Sequence, residues 1–349
     1  MDFNVHDTNG VLIGIVESPV SAIWTRRYQK PGDFELYFPA TVEALELITD
    51  DCYITREDKP EVMIVEHVEI VTNEEEGDYI LVSGRGAESV LERRIVLYQT
   101  RLSGRVDAAV KRLVDENAIS PADPDRALPI LMPTPDLLAA SISAQYTGTN
   151  LLEAVQEICK AYGIGFRAVV DNYSVIMPII ELVRGTDRSA GQAVNSPVVF
   201  SPEYENLLSS SYVLDTSNYK NVAIVAGEGE GKARKRAIYG SASGMTRREL
   251  YVDARDMSTN EGEISDADYT AQMLARGAEK IAEHAITESF DGEIDTSNTF
   301  VLDEDYTCGD IVTVVNEYGI QKDVRITAIM ESWDESGYAA VPVYENVEV

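Results

Sequence analysis

Histidine, cysteine and tryptophan are scarce in this 349-residue chain, which has three, three and two of them. Cys52, Cys159 and Cys308 are far apart and odd in number, so they neither build a disulfide framework nor offer the paired spacing of a zinc site. Buried free thiols are the expectation. His6, His67 and His284 fall on a terminus, a strand and a helix without HxxxH or HxH spacing, which leaves zinc and triad chemistry without a motif. No run approaches the ~20 apolar residues of a spanning helix, and the N-terminus MDFNVHDTNG lacks a cationic lead and an apolar core. Folding in the cytosol is expected. Positive charge is short as well: 60 acids face 29 bases, a net charge of −31, which repels nucleic acid and anionic membranes from most of the surface.

What is present is length and apolar material. A chain this long exceeds what one core organises, and 44% hydrophobic residues suffice for two or three domains. Charge is uneven, about −12 over residues 1–100, about −2 over 101–200 and about −17 over 201–349, a pattern that separates a near-neutral middle from acidic outer parts. Short alternating strands crowd the N-terminal third: Phe3–Val5 and Val11–Val16 across Asn9-Gly10, Ser21–Tyr28, Phe34–Phe38, Cys52–Thr55, Val62–Val71 and Tyr79–Ser83, with a short helix over Val42–Ile48.

From Gly84 the spacing turns helical over Ala87–Leu97 and Arg105–Asn117, then breaks in the proline-rich stretch Ile119–Pro135. Asn150–Tyr162 reads as a capped helix with Cys159 on its apolar face. Phe166–Val170 and Tyr173–Met177 read as a hairpin across Asp171-Asn172. Strand character returns at Val198–Phe200 and Leu207–Leu214, followed by a helix over Tyr269–Ile286 and strands at 290–294, 299–302, 311–315, 324–330 and 339–344. The expected class is α+β, mostly β: an N-terminal β module (1–95), an α/β insert (96–197) and a C-terminal β module with a long hairpin and one helix (198–349). The hairpins beginning at Asp51 and Asp310 share an order of Asp, alternating strand, charged turn and alternating strand, which suggests two related β modules flanking an insert.

The one basic stretch lies between Lys232 and Arg248, where Lys232, Arg234, Lys235, Arg236, Arg247 and Arg248 occur with no carboxylate. With the strand at Asn221–Ala226 and a glycine-rich turn it reads as an extended hairpin with charged lips. Gly227-Glu-Gly-Glu-Gly-Lys232-Ala233 fails as a phosphate loop, because Ala226 stands where glycine is needed and Ala233 where Ser/Thr would hold magnesium. Gly240-Ser-Ala-Ser-Gly244 has alanine at the nucleophile position of an elbow. Both read as turns. Carboxylate pairs are abundant and none stands out as a glycosidase dyad. Asp-Thr-Ser-Asn at 215–218 and 295–298, with Asp303-Glu-Asp305, is explained by Asx turns, with surface calcium as the alternative. No catalytic residue, cofactor or metal is assigned.

Ordered motifs then carry a resemblance: Trp24-Thr-Arg-Arg-Tyr28 with Gly32-Asp-Phe-Glu-Leu36, Ser83-Gly-Arg85 with Leu91-Glu-Arg-Arg94, and Tyr146–Asn150 in the first half. Phe200-Ser201 with Asn206-Leu207, Tyr219-Lys-Asn221 with Val225–Gly229, Arg247–Arg255, Asp305-Tyr306 and Gly309-Asp-Ile-Val312 complete it. Together they resemble the siphophage ReqiPepy-type tail protein family over about residues 1–345. The resemblance implies a baseplate hub at the virion tail tip, assembled in the host cytoplasm. Two barrel-like tube domains per chain would form a homotrimeric ring joining the tail tube to a tip, spike or fibre protein, without stable nucleic-acid binding or membrane insertion. It carries no catalytic signature. The six cations are expected to face a neighbouring subunit or the adjoining tail ring. A tail-associated wall hydrolase and a receptor or carbohydrate binder are the alternatives.

Overall fold

The computed structural model describes residues 1–73, 77–171, 174–255, 257–259, 264–294 and 299–346. With 43% strand and 20% helix the chain is α+β and mostly β, in two compact units: Met1–Ser210 with Asp291–Val349, and Ser211–Phe290.

In the first unit, β1 (Asp2–His6) and β2 (Leu12–Glu17) pair antiparallel. Their turn is held by Asp7, whose carboxylate accepts from the Asn9 and Val11 amides at 2.9 Å each, while Gly10 takes the left-handed φ of 80°. β3 (Ser21–Arg27) and β4 (Asp33–Pro39) follow. In β4, Phe34, Leu36 and Phe38 are buried and Glu35 is exposed, the alternation of a half-buried strand. Thr41 caps α1 (Val42–Leu47) by accepting from the Ala44 amide. β5 (Tyr53–Arg56), β6 (Lys59–Asn73) and β7 (Gly77–Gly86) complete the N-terminal strands. Trp24 is the centre of their core, with Phe3 and Phe34 ring centroids 6.0 and 6.1 Å away.

The expected helix at 87–97 shortens to a 3-10 turn, Ala87–Arg93, because the chain beyond it is extended: Ile95 bridges Asn150 and the buried Val96 donates its amide to the Thr149 carbonyl. β8 (Thr100–Arg105), α2 (Val106–Val114), β9 (Ser141–Tyr146), α3 (Leu151–Ala161), β10 (Gly165–Val169) and β11 (Ile179–Val183) form the α/β part. Asn150 accepts from the Leu152 and Glu153 amides at the start of α3, and Cys159 is buried on its apolar face. The hairpin partner of β10 is β11, not Tyr173–Met177. Val175 instead bridges Val11, and the Ile176 amide donates to the Gly10 carbonyl, so that segment is drawn to the β1–β2 turn; Asn172 and Tyr173 lie outside the described residues.

β12 (Val199–Phe200) precedes β13 (Leu207–Asp215), in which the chain passes into the second unit. There β14 (Val222–Ala226) pairs antiparallel with β15 (Arg236–Tyr239) and parallel with β16 (Glu249–Asp253). α4 (Asp266–Ala282) packs on one face of this three-stranded sheet, Tyr269 and Met273 meeting Ala223, Val225, Ala237 and Val252. The chain returns through β17 (Thr287–Ile294), paired with β13. Residues 299–302 form no strand; the Val301 amide donates to Asp305 and Asp303 turns with φ 67°. β18 (Ile311–Val315), β19 (Gln321–Asp334) and β20 (Gly337–Asn346) end the chain.

β3 pairs with β19, so one 13-stranded sheet runs β12-β18-β19-β3-β4-β7-β6-β5-β1-β2, with β20, β10 and β11 branching from it. No ladder joins β12 to β2 among the described residues, and barrel closure is not detected. The two hairpins likened in the sequence share geometry. β5 and β18 are short and pair with the start of the long β6 and β19, and each long strand shifts register just past its short partner, at Val65/His67 and Ile326/Ala328.

Candidate interaction surfaces

The six cations between Lys232 and Arg248 divide by what holds them. Arg234 is a strut: its guanidinium donates to the Gly227 and Ala226 carbonyls (2.9 and 2.7 Å), to the Tyr251 hydroxyl (2.7 Å) and to Asp253 (2.6 Å). It thereby ties the β14–β15 turn to β16. Arg255, together with Arg234, holds the Asp253 carboxyl down at about 2. Lys235 pairs with Asp266 and Glu228 at 2.7 and 3.1 Å, and Arg247 with Glu249 at 2.6 Å. Arg248 donates to the Thr216 carbonyl and lies over the Tyr219 ring. Lys232 and Arg236 are exposed and form no ion pair among the described residues, Arg236 donating only to the Gly231 carbonyl at 3.1 Å.

The glycine-rich run is a hairpin loop. Lys235 donates its amide to the Glu228 carbonyl, and the Glu228 carboxylate accepts from Thr259 Oγ1 at 2.8 Å and its amide at 3.1 Å. A carboxylate thus occupies the turn, and β15 follows it, not a helix. At the second turn a Cβ on Gly240, φ 86°, would overlap the Asn221 carbonyl oxygen. On the sheet face away from α4, Ile238 and Tyr251 are exposed and Ile224 lies between them in register.

The first unit has a groove of about 1160 Å³. Its floor is one face of β20, β19, β3, β4 and β7, and its wall is the polar face of α3 with Glu153, Glu157 and Lys160. Behind the opposite face lies a charged cluster that sequence reasoning missed. Arg56, 1% exposed, is held between the Trp24 and Trp333 rings at 5.4 and 4.4 Å and bonds Asp58 at 2.6 Å. Arg26 bonds Asp303 at 2.7 Å, Lys59 joins the same carboxylate, and buried Glu331 lies 3.5 Å from both arginines. Burial pushes Asp303 up, yet Arg26 and Lys59 hold it at about 2. The available signal was phase: Arg26 is two residues from Trp24, on the face that a strand buries.

The histidines stay apart. His6 is buried against Thr55, with its pKa lowered by burial; His67 lies on β6, 3.8 Å from Glu69; and His284 follows α4. No group of three or more His, Cys, Asp or Glu residues suited to a metal occurs among the described residues. The second Asp-Thr-Ser-Asn, at 295–298, lies outside them. In the first, Asp215 accepts from the Ser217 amide at 2.7 Å, an Asx turn.

Residues 2–343 match the model of the family described as Siphovirus ReqiPepy6 Gp37-like protein. The chain belongs to this family. The Gp37-like fold is shared end to end with solved tail proteins. The 43 kDa tail protein of prophage MuSo2 from Shewanella oneidensis superposes with a TM-score of 0.57 at 14% identity, covering 99% of this chain and 98% of that one. The tail protein from Neisseria meningitidis MC58 gives 0.56 at 13%, covering 98% and 96%. A chain of the Francisella PdpA-VgrG complex gives 0.54 at 10%, covering all of this chain and 53% of that one. At these identities the likeness concerns the fold. A search of curated proteins found no significant match.

Proposed function

We propose that this phage tail protein is a baseplate hub: a homotrimeric ring at the tail tip, of a phage or a prophage, that joins the tail tube or distal tail protein above to a tip, spike or fibre protein below and lets DNA pass. The observation that carries the reading is the family match over residues 2–343, on a fold shared along its whole length with two prophage or bacterial tail proteins. Similarity to a chain from a VgrG-containing complex supports a spike-side partner. The division at 95 and 197 is part of the proposal. It is supported by the separate core of α2 and α3, which reaches the N-terminal strands through Tyr53, Val62 and Ile64.

Charge gives the reading a physical basis. The second unit carries 10 bases and 13 acids, a net −3, which leaves −28 of the −31 to the first unit. A lumen lined by such a surface repels phosphates and keeps DNA moving. The protein acts as a structural component and not as an enzyme. Subunit contact falls to the cationic hairpin, and within it to Lys232 and Arg236, since the other four are committed within their own chain. Reversing both, Lys232→Glu with Arg236→Glu, is expected to weaken assembly and incorporation into tails while leaving the thermal transition unchanged. Normal incorporation of the double variant would remove the hairpin from the interface.

A further inference from the structure

The free cations of the second unit need a receiving surface, and the groove of the first unit has matching chemistry. Register places Val343, Ala328 and Arg27 in one row across the floor and Val341, Met330, Thr25 and Asp33 in the next. Met330 and Val343 are 38% and 46% exposed, an apolar strip on a face that core packing does not use. Arg27 is already paired with Asp33, and Arg85 with Glu66 and Glu92. Glu35, Glu153 and Glu345 line the same groove, exposed and without an ion pair among the described residues. Lys30 and Lys160 line it too, and they form no ion pair among the described residues. The groove is therefore an apolar strip bordered by an excess of free carboxylates.

The outward face of the unit 2 sheet has the complementary pattern. Arg236 and Ile238 are two residues apart on β15 and share that face, Ile224 and Tyr251 continue it across β14 and β16, and Lys232 stands on the adjoining loop. Its apolar centre of Ile238 and Tyr251, 56% and 59% exposed, has free cations at its rim. Apolar against apolar and cation against carboxylate is the arrangement that orients a protein interface and selects its partner.

We propose that the Lys232–Arg236–Ile238–Tyr251 face of one copy docks in the Glu35–Glu153–Glu345 groove of a second copy. The inference rests on the hub reading and gives it an interface. Because the two patches differ, the contact is heterologous, and heterologous contacts generate closed rings when the rotation allows, where a self-complementary patch gives a two-fold dimer.

The test mixes full-length chain of natural isotope content with ¹⁵N-labelled chain and couples lysine to carboxylate with a zero-length carbodiimide. Peptides containing Lys232 are expected joined to peptides containing Glu35, Glu153 or Glu345 in mixed light–heavy pairs. Lys232→Glu with Arg236→Glu is expected to weaken self-association roughly tenfold or more. Combining those two substitutions with Glu153→Lys and Glu345→Lys in one chain, which swaps the charges at every contact of the ring, is expected to restore it, a rescue that mere misfolding would not show. An oligomer whose cross-links avoid these peptides and whose mass is indifferent to the reversal overturns this interface and leaves the hub reading standing. A wild-type chain that is monomeric and gives no mixed-isotope product overturns both.

Discussion

Arg56 shows what one side chain does here. Its guanidinium lies between the rings of Trp24 and Trp333, from opposite ends of the chain, and faces Asp58 and Glu331. A buried charge left without any partner costs about 3–5 kcal/mol; Arg56 and Arg26 keep Asp58 and Asp303 when Glu331 is neutralised, so Glu331→Gln is expected to destabilise the fold by less than that, read from urea unfolding. Glu88 is the second such residue. Buried, with its carboxylate accepting from the Gly32 and Ala168 amides at 3.1 and 3.0 Å, it is pushed up to about 7 by desolvation. A carboxyl raised in the folded state gives stability that is full below its unfolded value and lost as pH rises through about 7. Urea midpoints are therefore expected to include a fall from this group between about pH 4.5 and about pH 7, and Glu88→Gln is expected to flatten it. Asp303, held low by Arg26 and Lys59, acts with the opposite sign. Its contribution is lost as pH falls through about 2.

Elements are positioned by a few close approaches. At the register shift of β6 the Ile64 carbonyl comes so near Gly84 of β7 that a Cβ would overlap it, which gives a physical reason for glycine in Ser83-Gly-Arg85. Gly84→Ala is expected to destabilise the first unit by about 2 kcal/mol or more, measured by chemical unfolding. In the second unit, Arg234→Ala is expected to lower stability by about 1–3 kcal/mol by removing the strut between turn and β16, where Lys232→Ala changes it little. Strands with strict alternation, such as β4, and helices with a cap and an apolar stripe, such as α3, were legible because the signal is local. The partner of β10 was not, since Val175 and Ile176 have strand-like character whether they pair with β10 or with the β1–β2 turn. The Arg26–Arg56–Asp303–Glu331 cluster gathers residues from four separate stretches, so only the phase of Arg26 with Trp24 hinted at it. The cationic hairpin was half legible: the sequence shows six cations without a carboxylate among them, but Glu228, Asp253 and Asp266, which neutralise two of them, sit just outside that window.

At the scale of the molecule, a sheet shared by the N-terminal and C-terminal strands joins the chain's ends through β3 and β19, and two hairpins of like geometry occupy corresponding places in it. Most of the negative charge lies with that unit, and the cationic hairpin with its exposed Lys232 and Arg236 lies with the other. A ring of identical chains follows if the two surfaces meet between copies with a rotation that closes. The direct measurement is the solution mass of the full-length protein by light scattering across a concentration series. The account predicts a particle of three chains of 38.5 kDa, reached through a concentration-dependent equilibrium that weakens with salt. A mass that stays at one chain throughout, at low salt and high concentration, would contradict it.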